Sequence, residues 1–278
     1  IRDGRVTGVQ TCALPICVSF CSRDNAGRWS EKVLLSDVSA PAHATVVDID
    51  QDDDLDILVS VLGNIEPDDG VIGRVLLLER NGESYSTRTI LDDVRRVADV
   101  QPADFDSDGD IDLAVAVFGY NRGQVLWLEN QPNGSFREHE LLSAPGTIHV
   151  PVADFDGDGD PDIAAIVTQD EEELWGFENT GDGNFRKRRL WFTINFDLGS
   201  AGLIANDLDR DGDMDLILPA GDNLEDFDPF PQPYHGCLWF ENRGGWNFEA
   251  ERLADFGGTY AAACGDLDND DDTDVVLV

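Results

Sequence analysis

Aspartate recurs at alternate positions in five nine-residue segments of this chain. The first holds Asp48, Asp50, Asp52, Asp54 and Asp56, and the second Asp104, Asp106, Asp108, Asp110 and Asp112. The third holds Asp154, Asp156, Asp158, Asp160 and Asp162, and the fourth Asp207, Asp209, Asp211, Asp213 and Asp215. The fifth holds Asp266, Asp268, Asp270, Asp272 and Asp274. The pattern is D-x-D-x-D-G-D-x-D. Positions 1, 3 and 5 turn three carboxylates toward one point, and position 9 returns another. Glycine at position 6 permits the positive φ of a sharp reversal, after which the carbonyl of position 7 faces the same point. Two unit charges about 4 Å apart repel by ~1 kcal/mol even in water, so converging carboxylates without a counter-ion strain the loop that carries them. Hard oxygen donors at this spacing suit Ca²⁺, which takes roughly six to eight of them; Mg²⁺ demands tighter octahedral geometry and keeps its waters. A solvated acidic turn accounts for one such segment but not for five in register. We expect up to five Ca²⁺ sites, the middle three being the most regular. Asp53 and Asp271 replace the glycine in the first and fifth segments, where binding is expected to be weaker, because aspartate enters positive φ less readily than glycine.

The competing calcium motif is the helix–loop–helix hand, which needs glutamate at position 12. Here that position holds Val59, Val115, Ala165, Leu218 and Leu277, apolar residues of a following strand, so that reading fails.

Charge supports a local cause. The chain has 278 residues and a formal net charge of −38. The five segments hold 27 of the 57 acidic residues, leaving 30 acids against 19 bases elsewhere. A surface acidified for salt tolerance spreads its acids evenly; this one concentrates them. The charge excludes nucleic acid and anionic membrane surfaces as partners, and no apolar run is long enough for membrane insertion as a helix. The five cysteines fit neither a zinc ribbon nor a redox pair. Cys237 and Cys264 read as buried thiols on strands.

The elements that position the aspartates repeat with them. The segments start at intervals of 56, 50, 53 and 59 residues, a length that suits one four-stranded propeller blade. In the second period an apolar stretch, Val97 to Ala103, precedes the acidic loop, and a β-rich run, Leu113–Phe118, follows it. Val125–Asn130 is the third strand, residues 131–134 a turn, and Phe136–Leu142 an alternating fourth strand. The third strand recurs as Leu76–Glu79, Leu126–Glu129, Trp175–Glu178 and Leu238–Glu241, with Asn130, Asn179 and Asn242 following. Trp127, Trp175 and Trp239 are assigned to packing between blades, and the Glu-Asn pair to the following turn.

The fold class is therefore all-β, a propeller of four-stranded blades. The sequence divides into a two-strand half blade at 17–36, full blades at 41–91, 96–142, 147–193 and 200–254, and a half blade at 258–278. The halves either pair as a fifth blade or belong to a larger ring, and we favour the ring. Residues 6–16, VTGVQTCALPI, resemble the translation of a common sequencing adapter. The end of a signal peptide behind Arg2 and Arg5, or a lipoprotein box at Leu14–Cys17, are the other readings. Residues 1–16 are set aside from the fold.

These loops and their period resemble the FG-GAP/VCBS repeats that build the integrin α-chain propeller. The resemblance covers Val18 to Val278, although the FG-GAP signature itself survives only in part, at Leu62-Gly63 and Phe118-Gly119. It implies calcium loops on the face opposite the usual ligand face, stapling each blade. It also implies an extracytoplasmic binding, adhesion or scaffold module, as in bacterial surface proteins, with a protein or glycan ligand. The alternative within the resemblance is a catalytic propeller such as a polysaccharide lyase. A lyase needs a base in a cleft, and with only Lys32 and Lys187 as lysines we expect no enzyme.

Two features remain for a ligand. The connection Ala220–Gly236 in the fourth blade is long and holds Phe227, Phe230, Tyr234 and His235, a composition suited to carbohydrate or peptide; a loop folded over a neighbouring blade is the bland alternative. His43, Asp99 and His149 share one register, five residues before each loop. They are expected as solvated residues of the channel, with a polar cluster as the alternative.

Overall fold

The structure is a computed structural model that describes residues 17–65, 69–169, 171–195, 198–222 and 232–278, with the backbone of Gly8–Thr11. The described residues form strands, turns and loops, with no helix among them. The strands fall into successive antiparallel sheets, each a simple meander in chain order.

The first sheet comprises β1 (Gly8–Thr11), β2 (Cys17–Arg23) and β3 (Trp29–Ser36). Blade 1 is β4 (Pro41–Val47), β5 (Asp56–Val61), β6 (Gly73–Asn81) and β7 (Ser84–Val94). Blade 2 is β8 (Arg96–Ala103), β9 (Asp112–Phe118), β10 (Gln124–Asn130) and β11 (Phe136–Ser143). In blade 3 the inner strand is split into β12 (Thr147–His149) and β13 (Val152–Ala153), ahead of β14 (Asp162–Val167), β15 (Glu172–Asn179) and β16 (Phe185–Thr193). The split falls at Pro151, which lacks the N–H a continuous ladder needs. Blade 4 is β17 (Ile204–Asn206), β18 (Asp215–Ala220), β19 (Gly236–Asn242) and β20 (Phe248–Ala254), and the last pair is β21 (Ala262–Gly265) with β22 (Asp274–Leu277).

Burial explains why the second strand of each blade is the most apolar. In β5, β9, β14 and β18 every residue is buried. These strands have a sheet on either face, so both alternating sets of side chains must be apolar. The fourth strands, β7, β11, β16 and β20, are largely exposed and read as alternating. The core is accordingly a series of layers between sheets. Leu58, Val75 and Leu77 of blade 1 meet Val97, Val115 and Val117 of blade 2. Trp127 and Ala116 of blade 2 meet Ile163 and Phe177 of blade 3. Phe155 and Leu174 of blade 3 meet Leu216, Phe240 and Trp246 of blade 4, and Val18 of the first sheet meets Ile57 and Leu76. Successive sheets from the first to blade 4 bury facing sides against one another, as repeat architectures must.

Gly8–Thr11, part of the segment set aside from the fold on sequence grounds, pairs antiparallel with β2 from Gly8 opposite Cys21 to Thr11 opposite Val18. The cysteines also differ from expectation: Cys17 is disulfide-bonded, whereas Cys21, Cys237 and Cys264 are free. Only Cys237 of the two strand thiols is fully buried; Cys264 is half-buried.

Candidate metal centres on the loop face

Every acidic segment connects the first strand of a sheet to the second, and all five adopt one turn. Position 6 has positive φ throughout: +97°, +96° and +100° at Gly109, Gly159 and Gly212, and +71° and +69° at Asp53 and Asp271. A Cβ at any of these three glycines meets nothing within 4 Å, so glycine serves the dihedral there and not the space. Position 4 is left-handed as well, at Gln51, Ser107, Gly157, Arg210 and Asn269. The sequence reading did not anticipate this second reversal, because only Gly157 and Asn269 are residue types that favour it.

The carboxylates are arranged in two tiers. The position-9 aspartates Asp56, Asp112, Asp162 and Asp215 begin the buried second strands and are at most 2% exposed. Each accepts the main-chain N–H of position 2, at 3.3 Å for Ile49, 3.2 Å for Phe105, 2.9 Å for Phe155 and 3.1 Å for Leu208. Each also accepts an N–H from the end of the third strand, at 2.7 Å for Arg80, Asn130 and Asn179 and 2.8 Å for Asn242. Asp274 repeats the first bond with Leu267 at 2.8 Å. The other tier shapes the loop. Position 5 accepts the N–H of position 7 in all five segments, at 2.8 to 3.0 Å for Asp54, Asp110, Asp160, Asp213 and Asp272. Position 1 accepts from position 6 at 3.0 Å for Asp53 and Gly109, 2.9 Å for Gly159 and 3.2 Å for Gly212. Asp266 takes the N–H of Asp270 at 3.2 Å.

Carboxylate oxygens within 4.8 Å of one another come from Asp48, Asp50 and Asp56; from Asp104, Asp106 and Asp108; from Asp154, Asp156 and Asp162; and from Asp207, Asp209 and Asp215. These are positions 1 and 3 with 5 or 9. Burial pushes the Asp112 carboxyl up to about 6 and that of Asp162 up to about 7, against the pull of their N–H donors. Asp56 and Asp215 move the same way for the same reason. Asp50 and Asp106 are raised by burial and by neighbouring aspartates. Oδ1 of Asp104 and Oδ1 of Asp207, at position 1 of their loops, are buried and accept no hydrogen bond. A buried anionic oxygen without a donor is costly. Asp104 and Asp207 each belong to a group of three aspartates whose carboxylates come together, a donor set that fits a hard divalent cation, so the residues present pass the test for Ca²⁺ on donor chemistry.

The loops also join neighbouring blades, through residues that sequence reasoning placed elsewhere. Asn179 donates from Nδ2 to the carbonyl of Phe105 in the preceding loop at 2.8 Å, and Asn242 does the same to Phe155 at 2.8 Å. In blades 3 and 4 the Asn after the third strand is thus a clip between blades. It is a turn former too: its Oδ1 accepts the N–H of Gly181 or Gly244 at 3.1 Å. Trp246, in the last turn of blade 4, donates to Asp156 Oδ2 at 3.2 Å. Its ring lies over Gly176, where a Cβ would come within 2.2 Å of it. Position 2 is always large and apolar (Ile49, Phe105, Phe155, Leu208, Leu267), and Phe105 and Phe155 are fully buried between blades. That signal was present in the sequence.

On the opposite side, His43, Asp99 and His149 are brought together, not left as solvated channel residues. His43 Nδ1 bonds Asp99 Oδ1, and His149 Nδ1 lies 3.6 Å from Asp99 Oδ2. Burial alone would raise the Asp99 carboxyl; hydrogen bonds from His149 and His43 outweigh it and hold the group below the usual carboxylate range. The bond to Asp99 in turn raises His43, against its burial.

Of the fourth-blade loop, Phe227 and Phe230 lie outside the described residues. Tyr234 is half-buried and His235 buried. Arg252 of β20 donates to the carbonyl of Tyr234 at 3.0 Å and to that of His235 at 2.5 Å, so this end of the loop is tied to its own blade.

A family profile described as FG-GAP-like repeat matches residues 104–165 and 154–218. Each match begins at position 1 of one acidic loop and ends three residues past the next, so the profile reads the loop and the intervening strands as one unit. No curated protein matches the chain. Among solved structures, the crystal structure of the V. cholerae biofilm matrix protein Bap1 aligns at 13% identity with a TM-score of 0.43, covering 100% of this chain. The chain spans 64% of that protein's length.

Proposed function

From the premise that the chain carries FG-GAP-like repeats on propeller-type sheets, we propose that it is a calcium-stabilised extracellular module that binds a protein or glycan and performs no catalysis. The observation that carries the calcium reading is the pair of buried, donorless carboxylate oxygens on Asp104 and Asp207. A cation at that point satisfies them, joins position 1 to positions 3, 5 and 9, and fixes the ends of the first and second strands. Because the same loops hold the Asn clips of the next blade, the ion stiffens the contact between blades and the surface they present. Calcium loops of modest affinity fill at extracellular concentrations, which supports an extracytoplasmic location. Among the described residues no helix is long and apolar enough to cross a membrane.

The test is binding of the chain to glycan and peptide arrays in calcium, after chelation, and after refilling. The reading requires capture that vanishes with chelator and returns with Ca²⁺. Failure to bind any array, together with release of an unsaturated uronate absorbance from an acidic polysaccharide, would replace the module with a lyase.

A further inference from the structure

We propose that His43, Asp99 and His149 form a second kind of metal centre, a site for one divalent transition-metal ion of the Zn²⁺ class, on the side of the blades away from the acidic loops. The three residues sit at one register of β4, β8 and β12, the first strands of three successive blades, so the repeat itself carries them to a single point. One ligand atom from each lies within 4.8 Å of the others. Tetrahedral Zn²⁺ with bonds of about 2.0–2.2 Å spaces its ligands roughly 3.3 Å apart; His43 Nδ1, now in hydrogen-bond contact with Asp99, must swing slightly outward, and His149 Nδ1, at 3.6 Å, slightly inward. Their side chains are 40% and 29% exposed, against 2% for Asp99, so the carboxylate is the fixed member and the imidazoles the adjustable ones. Asp99 is pinned by the N–H groups of Val100 at 2.8 Å and Val150 at 3.0 Å, and by Gln101 Nε2 at 3.0 Å. Such outer contacts orient a ligating group. The two imidazoles meet edge to face with centroids 6.3 Å apart.

The cluster opens on a cavity of about 560 Å³, lined also by Gln101, Pro151, Leu203, Ile204, Pro219 and Tyr260. Two imidazoles and one carboxylate leave a fourth position facing that cavity, the arrangement of zinc sites that exchange a water or bind a ligand anion. Donor chemistry keeps the two kinds of site apart. Imidazole suits Zn²⁺ and its neighbours, whereas carboxylate and carbonyl oxygen suit Ca²⁺. The open position would take water or the carboxylate of a ligand entering the cavity.

The experiment is a calorimetric titration of the full chain with Zn²⁺ in excess Ca²⁺, repeated with Co²⁺ while recording visible d–d absorption. The expected result is one equivalent of either metal. H43A and H149A should each lower affinity by more than about 100-fold, beyond the ~10–100-fold that loss of an outer contact gives. Melting in calcium verifies that both variants are folded, and H149Q, which keeps bulk and polarity, should bind as weakly as H149A. D156N, in an acidic loop, should leave zinc stoichiometry unchanged. Zinc uptake no greater in the wild type than in the H43A/H149A double variant would overturn the proposal and leave a hydrogen-bonded hub. Uptake that excess Ca²⁺ competes away would overturn it equally, by placing the metal in the loops.

Discussion

The acidic loops and the Asp99 cluster bury the same side chain and shift it in opposite directions. Asp99 is held below the usual carboxylate range because two histidines and two main-chain N–H groups face it. Asp112 and Asp162 are as deeply buried and also receive N–H donors, yet burial pushes them up to about 6 and about 7. The difference is the neighbours: imidazole donors in one place, further carboxylates in the other. A buried aspartate faced by imidazole and main-chain donors finds its partners within the chain. One surrounded by aspartates does not, and on the proposed reading calcium supplies what is missing. The contrast separates a cluster that holds together without calcium from loops proposed to need it.

The largest way to break this contrast is to withdraw calcium. A ligand at about a hundredfold over its Kd stabilises by ~2.7 kcal/mol per site. Three regular sites at a few degrees per kcal/mol predict a fall in Tm on the order of 15 °C or more on chelation, read by calorimetry. An unchanged Tm would remove the metal from the loops.

Two substitutions sharpen the contrast. D162N should cost about 3 kcal/mol more in calcium than in chelator, the contribution of one saturated site, the cost in chelator being the one main-chain N–H that the amide cannot accept. D99N should cost about 3 kcal/mol, from lost hydrogen bonds to a charged acceptor, equally with and without calcium. Urea unfolding in both conditions separates them; equal calcium dependence would erase the distinction.

A pH series gives a smaller effect. Asp112 and Asp162 have folded pKa values above the ordinary carboxylate value near 3.8. The folded, metal-free chain therefore binds more protons than the unfolded one between about pH 4 and 7. Stability in chelator should be greatest near pH 4, to the extent that these groups set it, and should decline as pH rises through 6 and 7. In saturating calcium the decline should vanish or reverse, because the ion favours the ionised form. Parallel pH profiles would contradict the assignment.

The smallest effect concerns the first loop. Asp53 holds φ +71° at position 6, a strained conformation for any side chain. D53G should stabilise the calcium-loaded chain by about 1 kcal/mol and tighten calcium binding in that loop. G109A should cost a similar amount in the second, where nothing obstructs the added methyl.

Much of this was legible because strand periodicity and loop spacing are local. The second blade, expected with strands at 97–103, 113–118, 125–130 and 136–142, has them at Arg96–Ala103, Asp112–Phe118, Gln124–Asn130 and Phe136–Ser143. Position 6 of the loop was legible through its glycine. The left-handed position 4 was not, since Gln51, Ser107 and Arg210 give no hint of it. The Asn clips were half legible: Asn130, Asn179 and Asn242 stood out, but the reach of Asn179 and Asn242 to the preceding loop depends on how blades abut. The union of His43, Asp99 and His149 required the same information. A common register places residues on equivalent strands; only the packing of three sheets shows that the equivalent positions touch. Trp246 over Gly176 is a further contact between blades of this kind.

The most direct test is a crystal structure of the chain grown in millimolar calcium. The account predicts one density peak inside each of the loops 104–112, 154–162 and 207–215. Each should be ringed by aspartate oxygens at roughly 2.3–2.6 Å, with Asp104 Oδ1 and Asp207 Oδ1 among them. Loops holding only water, with those two oxygens turned out to solvent, would contradict it.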